Sequence, residues 1–415
     1  MKKRLFTNIG ELLQVREKTT NPLAGKEMSE VPSIENAWLL AEGNLIARYG
    51  KMDDLADVSD AERIDLSGRK VMPAWVDSHT HIVFAKSREE EFVMRLKGRS
   101  YEEIAASGGG ILNSAKKLQQ TSEDELYRSA EIRLNEVRAL GTGAIEIKSG
   151  YGLTTDSELK MLRVIKRLRE NYPDMPIKST FLGAHALPVE YKERREDFIR
   201  LIIDEMLPKV AEQGLAEYCD VFCERGFFTY DETDRILQAA AKYDMKPKVH
   251  ANELDYSGGV QVGVKNKAIS VDHLEFVGKE ELEALDGSGT MPTLLPSTAF
   301  FLDIDYAPAR KIIDYGLPVA VASDYNPGST PSGRMPLVMS LACIKMKMTP
   351  AEALNAMTIN GAFAMEIEDK CGSITKGKLA NLIVLNKEVP SLDFLPYAFG
   401  TDWIDEVYIS GRKVG

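Results

Sequence analysis

Cysteine and histidine are scarce in this chain, with four and five residues among 415. Four cysteines cannot build a disulfide framework for a chain of this size, and the CxxxC spacing of Cys219 and Cys223 is not a zinc-ribbon signature. The thiols are therefore expected to be reduced and buried, as in a cytoplasmic protein. No stretch reaches the roughly 18 uncharged apolar residues that a membrane span needs. The basic start, Met1 to Arg4, meets Asn8, Gly10 and Glu11 before a signal-type apolar core can form. Positive charge is also short, 52 Lys plus Arg against 63 Asp plus Glu, a net charge of -11. That balance opposes a nucleic-acid binder, which needs a basic stripe to displace counterions. What remains is an ordinary soluble composition, for which nucleic acid is not an expected partner.

Several short β-branched runs are present, alternating with longer stretches of helical period. They cover residues 71–81, 144–148, 177–185, 219–223, 247–251, 268–274, 290–296 and 319–323. Most are uniformly apolar, as parallel strands buried on both faces are. Helix starts lie between them: Ser122 with Glu125, Thr155 with Glu158, and Thr349 with Pro350 and Glu352 each read as a capped N-terminus. Eight strands with helices between them predict an α/β fold, a (β/α)8 TIM barrel over residues 71–370. The two ends are β-rich and lack long helices, so 1–70 plus 371–415 are expected to pair as one small sheet domain.

The few histidines fall in a pattern. His79 and His81 are two apart on the first run, where alternation points both imidazoles the same way. Alone, such a pair reads equally well as satisfied polar groups at a strand end. But His185, His250, His273 and also Asp324 each end a different predicted strand, and barrel active sites form at that end. His79, His81, His250 and Asp324 would make a nitrogen and oxygen site, without thiolate, for one zinc-like or iron-like catalytic ion. Glu253, three residues after His250, is placed to shuttle a proton beside it. Lys148 is read as a hydrogen-bonding lysine. Asp272, just before His273, is expected to point away from the barrel, either packing or supporting the ligands from behind, and is left out of the site.

At this point the chain resembles the amidohydrolase superfamily and, within it, the hydrolases that open an imidazolone ring in histidine degradation. The residues that carry the likeness include Asp77-Ser78-His79-Thr80-His81, Arg88-Glu89-Glu90-Glu91-Phe92, Gly108-Gly109-Gly110-Ile111, Lys148-Ser149-Gly150-Tyr151-Gly152, Val271-Asp272-His273-Leu274-Glu275 and Asp324-Tyr325-Asn326-Pro327-Gly328. Ala74, Trp75, Ser297 and Asn381 depart from the superfamily's usual residues, Asn381 standing at a common Asp position, but none is a candidate ligand. The resemblance implies one Zn or Fe ion per chain on His79, His81, His250 and Asp324. It implies that 4-imidazolone-5-propanoate is opened by water to N-formimidoyl-L-glutamate, with Glu253, His273 and Asp324 as catalytic residues. It also implies that Arg88, Tyr101, Tyr151, His185, Glu253, Asn326, Gly328 and Ser329 bind the substrate, and that the protein is a homodimer. On spacing alone Arg88 is a solvated arginine balancing Glu89, Glu90 and Glu91; the likeness makes it a clamp for the propanoate carboxylate. The same ligands would serve a mononuclear nucleobase deaminase, the nearest alternative, and a metal-free scaffold on the same barrel is a third.

Overall fold

The computed structural model describes residues 2–99, 103 and 109–414. Eight strands line up in parallel in chain order: Trp75–Asp77, Thr142–Lys148, Ile177–Ala184, Tyr218–Cys223, Lys246–Ala251, Ser270–His273, Met291–Leu294 and Ala320–Val321. The last and first approach through a parallel bridge between Thr80 and Tyr325, with Asp324 N–H donating to His79 O at 3.0 Å. Asp77 reinforces this seam, accepting from the Ser323 amide at 2.9 Å and its hydroxyl at 2.6 Å. Burial pushes Asp77 up to about 7 in spite of these bonds. The architecture is thus the expected TIM barrel, nearly closed.

The run read as one strand over 71–81 is two. Lys70–Pro73 belongs to a second sheet, and only Trp75–Asp77 enters the barrel. In that second sheet Lys70–Pro73 pairs with Lys3–Leu13 on one side and with Leu382–Leu385 on the other. Antiparallel register sets Val71 opposite Val384 and Pro73 opposite Leu382, so strands from both ends of the chain share one sheet. Asn381 ties this sheet to the barrel: its amide donates to Gly143 O at 3.0 Å, and its oxygen accepts from Ser410 N–H at 2.7 Å. An aspartate there could accept but not donate.

Helix starts follow the sequence signals with one exception. Ser122 and Glu125 cap Glu123–Ala139 reciprocally, and Thr349 and Glu352 cap Pro350–Asn355. A third capping box, Thr229 with Glu232, opens Tyr230–Ala241. Thr155–Asn171 is capped instead by Thr154, whose hydroxyl accepts from Ser157 N–H. Glu158 does not cap; its buried carboxylate turns to the preceding loop. All four cysteines are free, three of them buried, and no helix among the described residues is long and apolar enough to cross a membrane.

Candidate active site

Strand direction brings the candidate residues to one mouth. His79 and His81 follow the first barrel strand, His185 the third, His250 lies on the fifth, His273 ends the sixth, and Asp324 follows the eighth. Nε2 of His79 and Nε2 of His81 are 3.2 Å apart, and each is 3.5 Å from Oδ1 of Asp324. One nitrogen of His250 joins them, all three donors lying within 4.8 Å of one another. A cavity of about 370 Å³ opens over this cluster. Its lining includes His81, His250, Asp324, Glu253, His273, His185, Tyr151, Arg88, Asn326, Gly328 and Ser329. Of the residues expected in the site, Tyr101 lies outside the described residues, and His79 sits beneath the lining, fully buried.

The donor set fits a cation. Nδ1 of His79 lies 2.6 Å from Asp272 Oδ2; a carboxylate there keeps the proton on Nδ1, leaving a lone pair on Nε2. That lone pair faces His81 Nε2, so either a proton or a cation has to lie between them. Burial, and after it Lys148 for His79 and His250 for His81, holds both imidazoles well below their ordinary pKa. Neutral imidazoles beside a carboxylate are what a metal ion asks for.

A layer of charge supports the ligands from deeper in the barrel. Lys148 Nζ donates to Glu146 Oε1 at 2.6 Å and Asp220 Oδ2 at 2.8 Å, and lies 3.5 Å from Asp272 Oδ2. Asp220 Oδ2 is also 3.0 Å from His250 Nδ1. One lysine therefore holds both carboxylates that touch the outer nitrogens of His79 and His250. Lys248, two residues below His250, bonds Glu146 and the Ser78 carbonyl. Burial alone would lower the Lys148 pKa, but Asp220, Glu146 and Asp272 raise it, so it stays an ammonium. Asp272 thus points into the barrel, contrary to expectation. The reason is local: His273 and Leu274 adopt φ of 87° and 66°, which breaks strand alternation and lets neighbouring residues face the same interior.

Two carboxylates flank His273. Its Nδ1 lies 3.8 Å from Glu253 Oε2 and 3.9 Å from Glu275 Oε2. Burial, then Asp324 and Glu224, pushes Glu253 up to about 8. Glu275 is raised as well, by burial and then by Glu253. Asp324 rises to about 6 through burial, against the 2.6 Å bond it accepts from Thr298 Oγ1. The His185 ring stacks on His81 at 5.6 Å, and its Nδ1 is 3.0 Å from Gly150 O; burial lowers it to about 3.

The loops that complete the mouth are wound on side chains. Glu158 accepts from the amides of Gly150, Gly152 and Leu153 at 3.0, 2.7 and 2.9 Å, which fixes Tyr151 between them. A β-carbon at 152 would sit 2.5 Å from the Glu158 amide nitrogen, so only glycine fits this turn. Asn326 Oδ1 accepts from Gly328 N–H at 2.7 Å and Ser329 N–H at 2.8 Å, and its amide donates to Asp324 O at 2.8 Å. Arg88 donates from Nε at 2.8 Å to Glu91 Oε2, whose other oxygen accepts from Gly110 N–H at 3.1 Å. Asp220, Asp272, Glu158, Glu91 and Thr298 were not among the residues expected here. Asp220 lies inside the apolar run 219–223, and Asp272 and Glu91 inside the segments that carry the family likeness, whereas nothing in the spacing marked Thr298.

The chain matches the model of the amidohydrolase family over residues 70–414. It is 59% identical over 410 residues to an imidazolonepropionase of Christiangramia forsetii, covering 99% of each chain. It is 57% identical over 410 residues to an imidazolonepropionase of Flavobacterium johnsoniae, again 99% of each. A guanine deaminase from C. acetobutylicum, with guanine in its active site, superposes with a TM-score of 0.71 at 16% identity over 100% of both chains. The last likeness is one of fold alone.

Proposed function

Since the chain belongs to the amidohydrolase family, we infer that it is a metal-dependent hydrolase acting as its imidazolonepropionase relatives are named. It opens the ring of 4-imidazolone-5-propanoate with water to give N-formimidoyl-L-glutamate, a step of histidine degradation. The observation that carries this reading is near-full-length identity of 55–59% to relatives of that name, joined to an intact three-histidine cluster.

We assign His79, His81, His250 and Asp324 as holders of one Zn or Fe ion per chain; imidazole and carboxylate donors accept either metal. When bound, such an ion supplies Lewis acidity, making water a better nucleophile near neutral pH and drawing charge from a carbonyl. The remaining work belongs to side chains. Glu253, which a bound cation would hold ionised against the burial that favours its neutral form, takes the proton from the attacking water at its carboxylate oxygen. It then delivers that proton to the ring nitrogen as the bond from that nitrogen to the carbonyl carbon breaks. His273, flanked by Glu253 and Glu275, donates toward the developing oxyanion, and Asp324 accepts a hydrogen bond that orients the water. Arg88 meets the propanoate carboxylate, while Tyr151, His185, Asn326, Gly328 and Ser329 enclose the rest of the substrate; for Tyr101 a binding role rests on the family likeness alone. The reading extends to a homodimer in the cytoplasm, on analogy with the family.

The test generates the unstable imidazolone in situ, follows its ring absorbance with added protein, and measures metal in the same sample. Decay in proportion to protein, with about one ion per chain, is expected. Release of ammonia from nucleobases with no action on the imidazolone would instead establish a deaminase, whose present support is the distant fold likeness.

A further inference from the structure

The helix Glu89–Leu96 begins directly after Arg88, and Arg95 falls seven residues further on. Two turns of helix return Arg95 to the Arg88 face, and both guanidinium groups reach the same residue of the opposite loop. Arg95 Nη2 donates to Gly328 O at 3.3 Å. Arg88 Nη1 packs so closely on Gly328 that a β-carbon there would collide with it. The Gly328 carbonyl has no freedom to turn away, because Asn326 holds the amides of 328 and 329. Arg95 is held from the other side by the Phe301 ring, whose centroid is 4.9 Å from its Cζ.

Among the described residues that line this end of the cavity, the charges do not balance. Glu91 is the carboxylate paired with Arg88, and both of its oxygens already accept hydrogen bonds. Among the described residues Arg95 forms no ion pair and donates to one backbone carbonyl, so four of its five N–H groups lack a partner there. Both arginines line the cavity over the histidine cluster. Two guanidinium groups and one carboxylate leave a surplus of one positive charge in a chain of net charge -11. One more carboxylate brings the group to neutrality.

We propose that Arg95 is the second cation for the carboxylate of the substrate and the residue that makes the pocket select an anionic side chain. Arg88, already neutralised by Glu91, serves as the positioned partner. Arg95 approaches from the far side of Gly328 with donors that no described residue occupies, and a planar fork suits bidentate recognition of a carboxylate. The inference rests on the imidazolone reading above, since that substrate carries one propanoate beyond the ring.

The experiment compares the wild-type holoenzyme with Arg95→Met, which keeps an apolar stem over Phe301, and with Arg95→Lys. Two quantities are read: kcat and KM for the imidazolone, and the ratio of affinities for imidazole-4-propanoate and its neutral amide by calorimetry. Arg95→Met is expected to raise KM about 10- to 100-fold with kcat within about 3-fold, and to reduce the acid-over-amide preference by about 10-fold or more. Arg95→Lys should restore part of that preference, a rescue that a purely structural role does not produce. An unchanged preference in Arg95→Met, with normal turnover of the imidazolone by wild type, overturns the role of Arg95 and leaves the reaction standing. Wild-type protein that neither hydrolyses the imidazolone nor prefers the acid overturns both. If Arg95→Met does not fold, Arg95→Gln carries the same two measurements.

Discussion

The barrel floor and the barrel mouth are built from the same kinds of group and treat charge in opposite ways. On the floor, Glu146, Lys148, Asp220, Lys248 and Asp272 are fully buried and meet one another at ion-pair distance. Three carboxylates and two lysines leave one negative charge there, enclosed beneath the histidines, and the network orients those rings. At the mouth, Arg88, Glu91 and Arg95 are partly open to the cavity and sum to a positive charge. The difference teaches that an enclosed charge network serves geometry, whereas one open to the cavity serves recognition.

The largest effect should come from breaking the floor. Lys148→Met leaves Asp220 and Asp272 without their shared cation, and losing one partner of a buried ion network typically costs about 3–5 kcal/mol. Urea unfolding of the metal-free protein should show that loss, and metal analysis should show lower occupancy. Unchanged stability and occupancy would mean that the floor is passive filler.

Between floor and mouth stands Glu253. Glu253→Gln should lower kcat by about 10²- to 10⁴-fold, the usual range for a proton-transfer group, with metal content intact; near-normal turnover would remove Glu253 from the reaction. The same variant reports a pH effect. Burial raises folded Glu253 to about 8 from an ordinary 4.5, so the folded state favours the protonated form. Unfolded chain ionises first as pH rises past about 4.5, and wild-type stability falls from there until the folded carboxyl ionises near 8. Metal-free Glu253→Gln, which cannot ionise, should therefore gain in urea midpoint over wild type between pH 5 and pH 8. A difference that stays flat with pH would contradict the burial argument.

At the mouth, Arg88→Ala should raise KM about 10-fold or more while leaving metal content as it was. An unchanged KM would show that Arg88 serves Glu91 and the loop alone. Outside both regions, Thr349→Ala removes a helix cap and should reduce stability by about 1 kcal/mol, with kcat and KM at their wild-type values. Altered kinetics in that variant would mean that the two regions are less separate than their charges suggest.

Much of this was legible from residue order. The strand runs led to the barrel, and the positions of five histidines at strand ends led to one mouth, because both depend on spacing that a strand or helix preserves. Destinations of carboxylates were harder. Glu158 has the right spacing for a cap, yet it serves three loop amides, because a buried carboxylate goes where N–H groups are unsatisfied and that is settled by packing. Asp272 was misplaced because strand alternation holds only while φ stays extended, and it fails at His273. Arg95 carried no signal beyond its position on a helix face, since its partner, Gly328, comes from the other end of the barrel.

The strand Lys70–Pro73 has a further consequence, in the timing of synthesis. It leads directly into the first barrel strand, yet its neighbour on one side, Leu382–Leu385, leaves the ribosome about 300 residues later. Between the making of the last barrel strand, Ala320–Val321, and that of the tail, the nascent chain carries an open sheet edge beside a barrel whose own strands are all present, an edge that invites pairing with another chain. The tail arrives last and covers it, so a ribosome that stops short of the tail would release a molecule holding every candidate ligand and still prone to aggregate.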